Sequence, residues 1–468
     1  MAKTITYEGS DAHLLYHEIK RRCSVLTHTG SEYPYNPITK TIESRKISGE
    51  HTEVFSLVSL VETKLVAIVP YEVARTLSCS IAGPPASRPV LENAAFVGQL
   101  RDYQEDGAAK VIEVLTATGR CYLQAPPAYG KTVLMSYVIS HLKEKTLIVV
   151  PGLSLAEQTK TSINQMLPGV KVYILETEGG ERMIPEDTDV LISFVRRLCG
   201  PSAPLLQFKT VILDEVHQLS TTIGISAMLT MRPNHLLALT ATPGDRNPVT
   251  ELFVGKCTIR ELADRRWSIC FPRIVSGMKG SDYSGVEGYT EAMGDLTDSV
   301  PFMTTIVKMV RYFVELEKRV IVITMRRDTS DRLAELLGEA STDGEWQGSP
   351  SYAVLTPESR RCPNCDVVIG THKLIGTGFD LSNYVDNFDG KCASVMIFIG
   401  SIKNQTLMYQ AAGRGFRARD PLAIYPSIVD LPVSVSHTKE LLHKARHSDG
   451  CVILDRFARF LESFASEE

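Results

Sequence analysis

The stretch Leu123-Gln124-Ala125-Pro126-Pro127-Ala128-Tyr129-Gly130-Lys131-Thr132 constrains this chain more than any other. It ends an apolar run, Cys121 to Leu123, that reads as a strand. It then opens a segment in which Val133, Leu134, Tyr137, Val138 and Leu142 recur at helical spacing. A strand, a tight turn ending in Gly-Lys-Thr and a helix form a phosphate-binding loop, in which backbone N–H groups and the helix N-terminus face an anion. The usual pattern begins with Gly, and here Ala125 stands in its place. A small residue keeps the turn tight where φ is negative, whereas Gly130, beside the phosphates, leaves no room for a Cβ. Ala125, Pro126, Pro127, Ala128, Tyr129, Gly130, Lys131 and Thr132 are therefore the candidate phosphate-contacting residues, with Lys131 and Thr132 reaching the terminal phosphate and Mg²⁺.

A second signal follows about eighty residues later. Thr210-Val211-Ile212-Leu213 has the character of a buried strand and ends in Asp214-Glu215-Val216-His217. Strand-terminal carboxylates sit at the sheet edge where ligands bind in doubly wound folds. Asp214 suits Mg²⁺ held through its water shell, and Glu215 suits acceptance of a proton from attacking water. His217 can couple the site to a neighbouring element. Leu236 to Leu239 predicts another strand, ending in Thr240-Ala241-Thr242, whose two hydroxyls can bond His217 or the carboxylates. Upstream, Leu100-Arg101-Asp102-Tyr103-Gln104 begins a helix, and the Gln104 amide can donate to and accept from an adenine edge.

Between these signals, strands and helices alternate. Thr146 to Val150 is a continuous apolar run, a helix is expected at Leu155 to Met166, and strands at Val170 to Leu175 and Asp189 to Phe194. That alternation predicts a doubly wound parallel sheet. The 468 residues suffice for about three domains. Residues 1–94 read as a small α+β accessory domain, with a helix near Ala12 to Arg22 and strands over Glu53 to Val61 and Lys64 to Pro70. Gly83-Pro84-Pro85 punctuates its end. Gly277 to Ser299, rich in Gly and acids, reads as a linker or surface excursion, and the segment after Leu431 as helical.

Composition narrows the class. With 44% apolar and 22% charged residues the chain reads as a soluble globular protein. No apolar run nears the roughly 20 residues needed to span a bilayer, so no membrane partner is expected. The N-terminus lacks a signal-peptide core. Ten scattered cysteines suit a reducing, intracellular compartment. Cys362-Pro-Asn-Cys365 has no second pair to complete a zinc site and reads as a turn before the strand Val367 to Gly370. The net charge of −4 neither advertises nor excludes nucleic-acid binding. From Ser401 to His447 seven basic residues face three acids, which fits a nucleic-acid track or a solvated face equally well.

In their order, Gln104, Ala125 to Thr132, Pro151-Gly152, Asp214 to His217 and Thr240 to Thr242 resemble the DExH branch of superfamily 2 helicases. The second half continues the match. Arg319 to Thr324 resembles the strand opening the second RecA-like domain, Gly376-Thr377-Gly378-Phe379-Asp380 the fifth motif, and Gln410 to Arg417 the sixth. Within the superfamily the chain looks most like the transcript-release DNA helicases of large DNA viruses, as in poxviruses, and more distantly like XPB-type repair translocases.

The resemblance implies two RecA-like doubly wound parallel-sheet domains, over residues 95–265 and 266–432, beside the N-terminal domain, with a helical segment at 433–468. It further implies ATP and Mg²⁺ in the cleft between the lobes, with Thr132 and Asp214 on the metal. Lys131, Asp214, Glu215, Gln410, Arg414 and Arg417 would be catalytic, and Gly378 and Asp380 would join Gln104 and the loop in holding nucleotide. His217, Thr240 and Thr242 would couple turnover to movement. Nucleic acid would run past Pro151, Gly152, Arg196, Arg197, Arg326, Thr371 and His372 through backbone-directed contacts, although Arg196 and Arg197 equally fit a solvated loop. DNA is favoured over RNA, RNA polymerase and other transcription factors are the protein partners suggested, and a monomer is expected. A scaffold that keeps the fold without turnover is the alternative. A metabolic kinase would have no use for the arginines of the second half.

Overall fold

The computed structural model describes residues 2–8, 10–32, 35–36, 41–42, 45–53, 56–61, 64–77, 80–81, 91–178, 181–198, 205–219, 221–241, 248–261, 267–278, 285–342, 350–359, 361–375, 381–400, 413, 421–446 and 451–465. They divide into two compact units, residues 1–126 with 130–261, and residues 127–129 with 262–468.

The first unit is built on a seven-stranded sheet. Its spatial order is Val172–Ile174, Val190–Phe194, Thr146–Val150, Thr210–Leu213, His235–Thr240, Arg120–Gln124 and Ile259–Arg260. Every neighbouring pair is parallel. Thr146–Val150 and Thr210–Leu213 are buried at every position, as strands covered by helices on both faces must be, which is why they read as unbroken apolar runs. Because all seven strands point the same way, Gln124, Val150, Phe194, Leu213 and Thr240 end on one edge. The phosphate loop, Pro151-Gly152, the basic turn Val195–Leu198, the carboxylate pair and Ala241 all emerge there.

The N-terminal part contributes an antiparallel sheet in the order Ser56–Val61, Lys64–Pro70, Ala2–Glu8, Ser80–Ile81, carrying the helices Ala12–Arg22 and Tyr71–Thr76. It has its own core around Ile5, Ile19, Leu65 and Val69. The strand Ala2–Glu8 carries no turn signals and was not expected. This part is tied to the first unit's sheet by a buried cation. The Arg120 guanidinium lies 3.4 Å from the centre of the Tyr71 ring, and its Nη1 donates to the Phe253 carbonyl at 2.8 Å. Burial pulls the Arg120 pKa down to about 10.

The second unit repeats the first. Its sheet runs Tyr352–Val354, Val367–Thr371, Arg319–Thr324, Ala393–Ile399, Leu422–Ile424, Trp267–Cys270 and Cys451–Ile453, again all parallel. Numbered along the chain within each unit, both sheets have the order 3-4-2-5-6-1-7. Two doubly wound parallel-sheet domains beside a small α+β domain is the expected fold class.

Local departures have physical causes. Arg319–Thr324 does not open the second sheet, because Trp267–Cys270 precedes it; four residues with Trp267, Ile269 and Cys270 buried are too short to show a period. Gly277 to Ser299 is not a linker throughout. Gly285–Asp298 is a helix that buries Ala292, Met293 and Leu296 against the second core, so one narrow apolar stripe outweighs its Gly and acid content. The C-terminal segment holds the helices Pro432–Arg446 and Asp455–Glu462, but Cys451–Ile453 between them is a strand that completes the sheet. No helix among the described residues is long and apolar enough to cross a membrane.

Candidate nucleotide site

The site lies at the carboxyl edge of the first sheet. Gly130 takes φ +91, a conformation that favours glycine, and caps the helix Lys131–Leu142. A Cβ on Gly130 would stand 2.5 Å from Gln104 Nε2, so a side chain there would push the Gln104 amide aside. Ala128 also lies in the left-handed region, at φ +60. Gln104 is buried under the loop. Its Oε1 accepts from the Arg101 N–H at 2.9 Å and its Nε2 donates to the Gly130 carbonyl at 3.4 Å, so it braces the loop from behind and caps its own helix. Ala125 N donates to the Thr240 carbonyl at 2.9 Å, which stitches the start of the loop to the neighbouring strand.

Five predicted residues converge. Lys131 Nζ lies 2.9 Å from Glu215 Oε1 and 3.9 Å from Asp214 Oδ1. Both Lys131 and Glu215 side chains are only 13% exposed. Glu215 Oε2 accepts from the Ala241 N–H at 3.4 Å and lies 3.5 Å from His217 Nδ1, which in turn is 3.1 Å from Thr240 Oγ1. A continuous line of polar contacts thus runs from the phosphate-loop lysine through Glu215 and His217 to the end of the adjacent strand. Burial would raise the Glu215 carboxyl, but the charge and hydrogen bond of Lys131, helped by His217 and the Ala241 N–H, hold it below its ordinary value. Desolvation holds His217 below its ordinary value against the pull of Glu215.

Glu215 itself takes φ +48, the left-handed region that costs a non-glycine residue about 1–2 kcal/mol. The Glu215 N–H donates to Asp214 Oδ1 at 3.0 Å, and Asp214 N to the Val149 carbonyl at 2.9 Å. These bonds fix the two carboxylates at the strand end with their oxygens turned toward Lys131.

This arrangement fits a nucleotide with Mg²⁺. One lysine and two carboxylates leave a net negative charge for a cation, and Thr132 at the first helical turn supplies a hydroxyl. Mg²⁺ is ordinarily held by one or two carboxylates with substrate phosphates rather than by a protein cage. Thr132 and Asp214 would hold it, and bound there it would neutralise charge developing on the phosphates.

Residues 98–245 match the family model described as the res subunit of type III restriction enzymes. The chain is 26% identical over 343 residues to a putative helicase, 161L, of Invertebrate iridescent virus 6, covering 67% of this chain and 75% of that protein. It is 30% identical over 317 residues to putative helicase 055L of Frog virus 3, covering 66% and 70%. The chain belongs to the superfamily 2 helicases. It is an ATP-hydrolysing enzyme of that class. A solved structure of the ATP-dependent Type ISP restriction-modification enzyme LlaBIII bound to DNA matches this helicase with a TM-score of 0.52 at 13% identity. That match covers 83% of this chain but 33% of the other, and speaks for the fold.

Pro151 and Gly152 follow the second strand of the first sheet, and Arg196 and Arg197 lie in the turn after the fourth. In this helicase's second unit, Arg326 follows the second strand, while Thr371 ends the fourth and His372 follows it. The nucleic-acid candidates thus occupy matching positions of the two duplicated sheets. Their surroundings differ. Arg196 is exposed. Arg197 lies over the Phe194 ring and donates to the Leu175 carbonyl, and Arg326 is clasped by the Asp328 carboxylate. Burial, then the Lys373 charge, hold His372 below its ordinary value. Thr242, Gly378, Asp380, Gln410, Arg414 and Arg417 lie outside the described residues.

Sequence reasoning missed the Ala241 N–H, the left-handed Glu215 and the Asp328 clasp. It also missed Glu144, buried at the opposite sheet edge, whose Oε2 accepts from Thr210 Oγ1 at 2.8 Å and lies 2.9 Å from His235 Nδ1. None of these contacts leaves a local pattern in one dimension.

Proposed function

We propose that this helicase is an ATP-driven motor that tracks along DNA, and that it acts in transcription in the manner of viral transcript-release helicases. The observation that carries the reading is the line from Lys131 through Glu215 and His217 to Thr240. A bound triphosphate competes for Lys131 and draws it off Glu215. Glu215 is then free to accept a proton from attacking water, and its changed charge is felt by His217 and the strand end beyond. Lys131 and the loop N–H groups orient the phosphates. In this proposal Arg414 and Arg417 stabilise phosphoryl oxygens as charge moves, and Gln410 positions them.

In this proposal Pro151, Gly152, Arg196 and Arg197 on the first unit, and Arg326, Thr371 and His372 at the matching positions of the second, each contact nucleic acid through its backbone, with little sequence preference. The chemistry of those groups does not separate DNA from RNA. DNA is preferred because of the family resemblance, and the DNA-bound restriction enzyme shares the fold. The test is phosphate release measured in parallel with single-stranded DNA, duplex DNA and RNA, for wild type and Lys131→Ala. DNA should stimulate wild type more than RNA does, and the variant should be inactive. A flat response to every nucleic acid would favour a scaffold that keeps the fold without coupled turnover, and a Lys131→Ala protein as fast as wild type would refute the site.

A further inference from the structure

The second unit carries two thiols that the nucleotide chemistry does not use. Cys362 and Cys365 flank Pro363-Asn364 in the turn leading into the strand Val367–Thr371. Both are unbridged, 3% and 4% exposed, and packed in one apolar cluster with Ile321, Val368 and Phe398. Cys362 lies in a two-residue strand paired with Val385–Asp386, and Cys365 Sγ donates to the Val367 carbonyl at 3.3 Å. Their mutual influence pulls the Cys362 thiol below its ordinary value and raises that of Cys365, with burial adding to the rise.

A buried cation stands beside them. Arg319 donates from Nη2 to Asn364 Oδ1 at 2.6 Å and is held by Asp389 and the Lys391 carbonyl, while its Nε has no partner among the described residues. Its charge favours the thiolate of both cysteines. A structural zinc site would need four ligands, and no group of three or more His, Cys, Asp or Glu positioned for a metal occurs among the described residues.

We propose that Cys362 and Cys365 form a reversible dithiol–disulfide couple whose oxidant is a low-molecular-weight disulfide. The Cys362 thiolate attacks one sulfur of the oxidant and expels one small thiolate, leaving a mixed disulfide. That thiolate takes the Cys365 proton, and Cys365 Sγ then attacks Cys362 Sγ and expels the second. Two protein thiols and one small disulfide become one protein disulfide and two small thiols, with no other reactant. Exposed Arg361, Pro363 and Asn364 let the turn open for the first step. Once closed, the bond fixes the turn at the foot of the strand that ends at Thr371.

The test equilibrates the full chain across glutathione and glutathione disulfide ratios, traps it by alkylation and maps the peptides. A Cys362–Cys365 disulfide should form and be reversed by reductant. Its equilibrium constant should be at least tenfold more favourable than that of the same turn as a free peptide, about 30 mV, because the fold confines both side chains to one buried cluster. Cys362→Ser and Cys365→Ser should each abolish it while exposed Cys257 reacts as before. The proposal is overturned if both cysteines stay reduced at a ratio where Cys257 already carries glutathione. Separate glutathione adducts on each, or one equivalent of zinc lost in Cys362→Ser, would overturn it too. Mapping of the wild-type chain decides the matter even if a variant fails to fold.

Discussion

Replacing Lys131 by Met should destabilise the nucleotide-free protein as well as silence it. Met keeps the unbranched stem and removes the charge, leaving Asp214 and Glu215 side by side without a cation. At an effective dielectric of about 20, the 2.9 Å contact to Glu215 is an attraction of about 6 kcal/mol and the 3.9 Å contact to Asp214 about 4 kcal/mol. Desolvation of the three groups offsets most of this, and removing one partner of such a pair typically costs about 3 kcal/mol. For a unit of roughly 250 residues that lowers Tm by about 6–10 °C. Glu215→Gln alone should cost less, because Asp214 still faces Lys131, and the double variant should be more stable than the sum of the two by about 2 kcal/mol. The pH dependence has a definite sign. In wild type the depressed Glu215 pKa gives stability that is present above the ordinary glutamate value and lost as pH falls through the folded value. In Lys131→Met burial is opposed only by His217 and the Ala241 N–H, the pKa rises, and the deficit shrinks as acid protonates Glu215. Urea unfolding of the four proteins at pH 7 and pH 5 measures all of this. A coupling within about 0.5 kcal/mol of zero would refute the ion pair and with it the competition for Lys131.

Gly130→Ala should fold but bind ATP at least tenfold more weakly, since its Cβ meets Gln104 Nε2 at 2.5 Å and φ +91 is unfavourable for alanine; a nucleotide titration checks it. Gly224→Ala should cost about 2 kcal/mol or more, because the new Cβ would lie 2.0 Å from the Leu219 carbonyl oxygen, whereas Gly152→Ala, with nothing within 4 Å, should stay within about 0.5 kcal/mol in the same unfolding assay. His217 resists protonation in the fold, so the unfolded chain binds more protons between the folded and unfolded pKa values, and stability falls as pH drops from about 6.5 toward the lower folded value. His217→Gln should remove that part of the pH profile, which a comparison of urea midpoints from pH 7.5 to 5 would show.

The reach of the sequence can be judged residue by residue. Thr146–Val150, Thr210–Leu213 and Arg319–Thr324 were legible because strands buried on both faces must be apolar throughout, and the helix Ala12–Arg22 because Leu15 and Ile19 share the side that packs, although exposed Leu14 does not. Trp267–Cys270 and Cys451–Ile453 were not, since strands of four and three residues owe their state to the neighbours they pair with. Gly130, Lys131, Asp214 and Glu215 announced themselves because phosphate and metal chemistry admits few residue types at each point. The amino-acid order by itself thus determined the fold class, the loop and the identity of the charged groups. Only the tertiary structure decided that both sheets share one strand order, that Gln104 braces Gly130 and that Lys131 is held by Glu215. Those facts depend on distances between residues far apart in the chain, and such distances are set by how helices and strands pack, which no local pattern encodes.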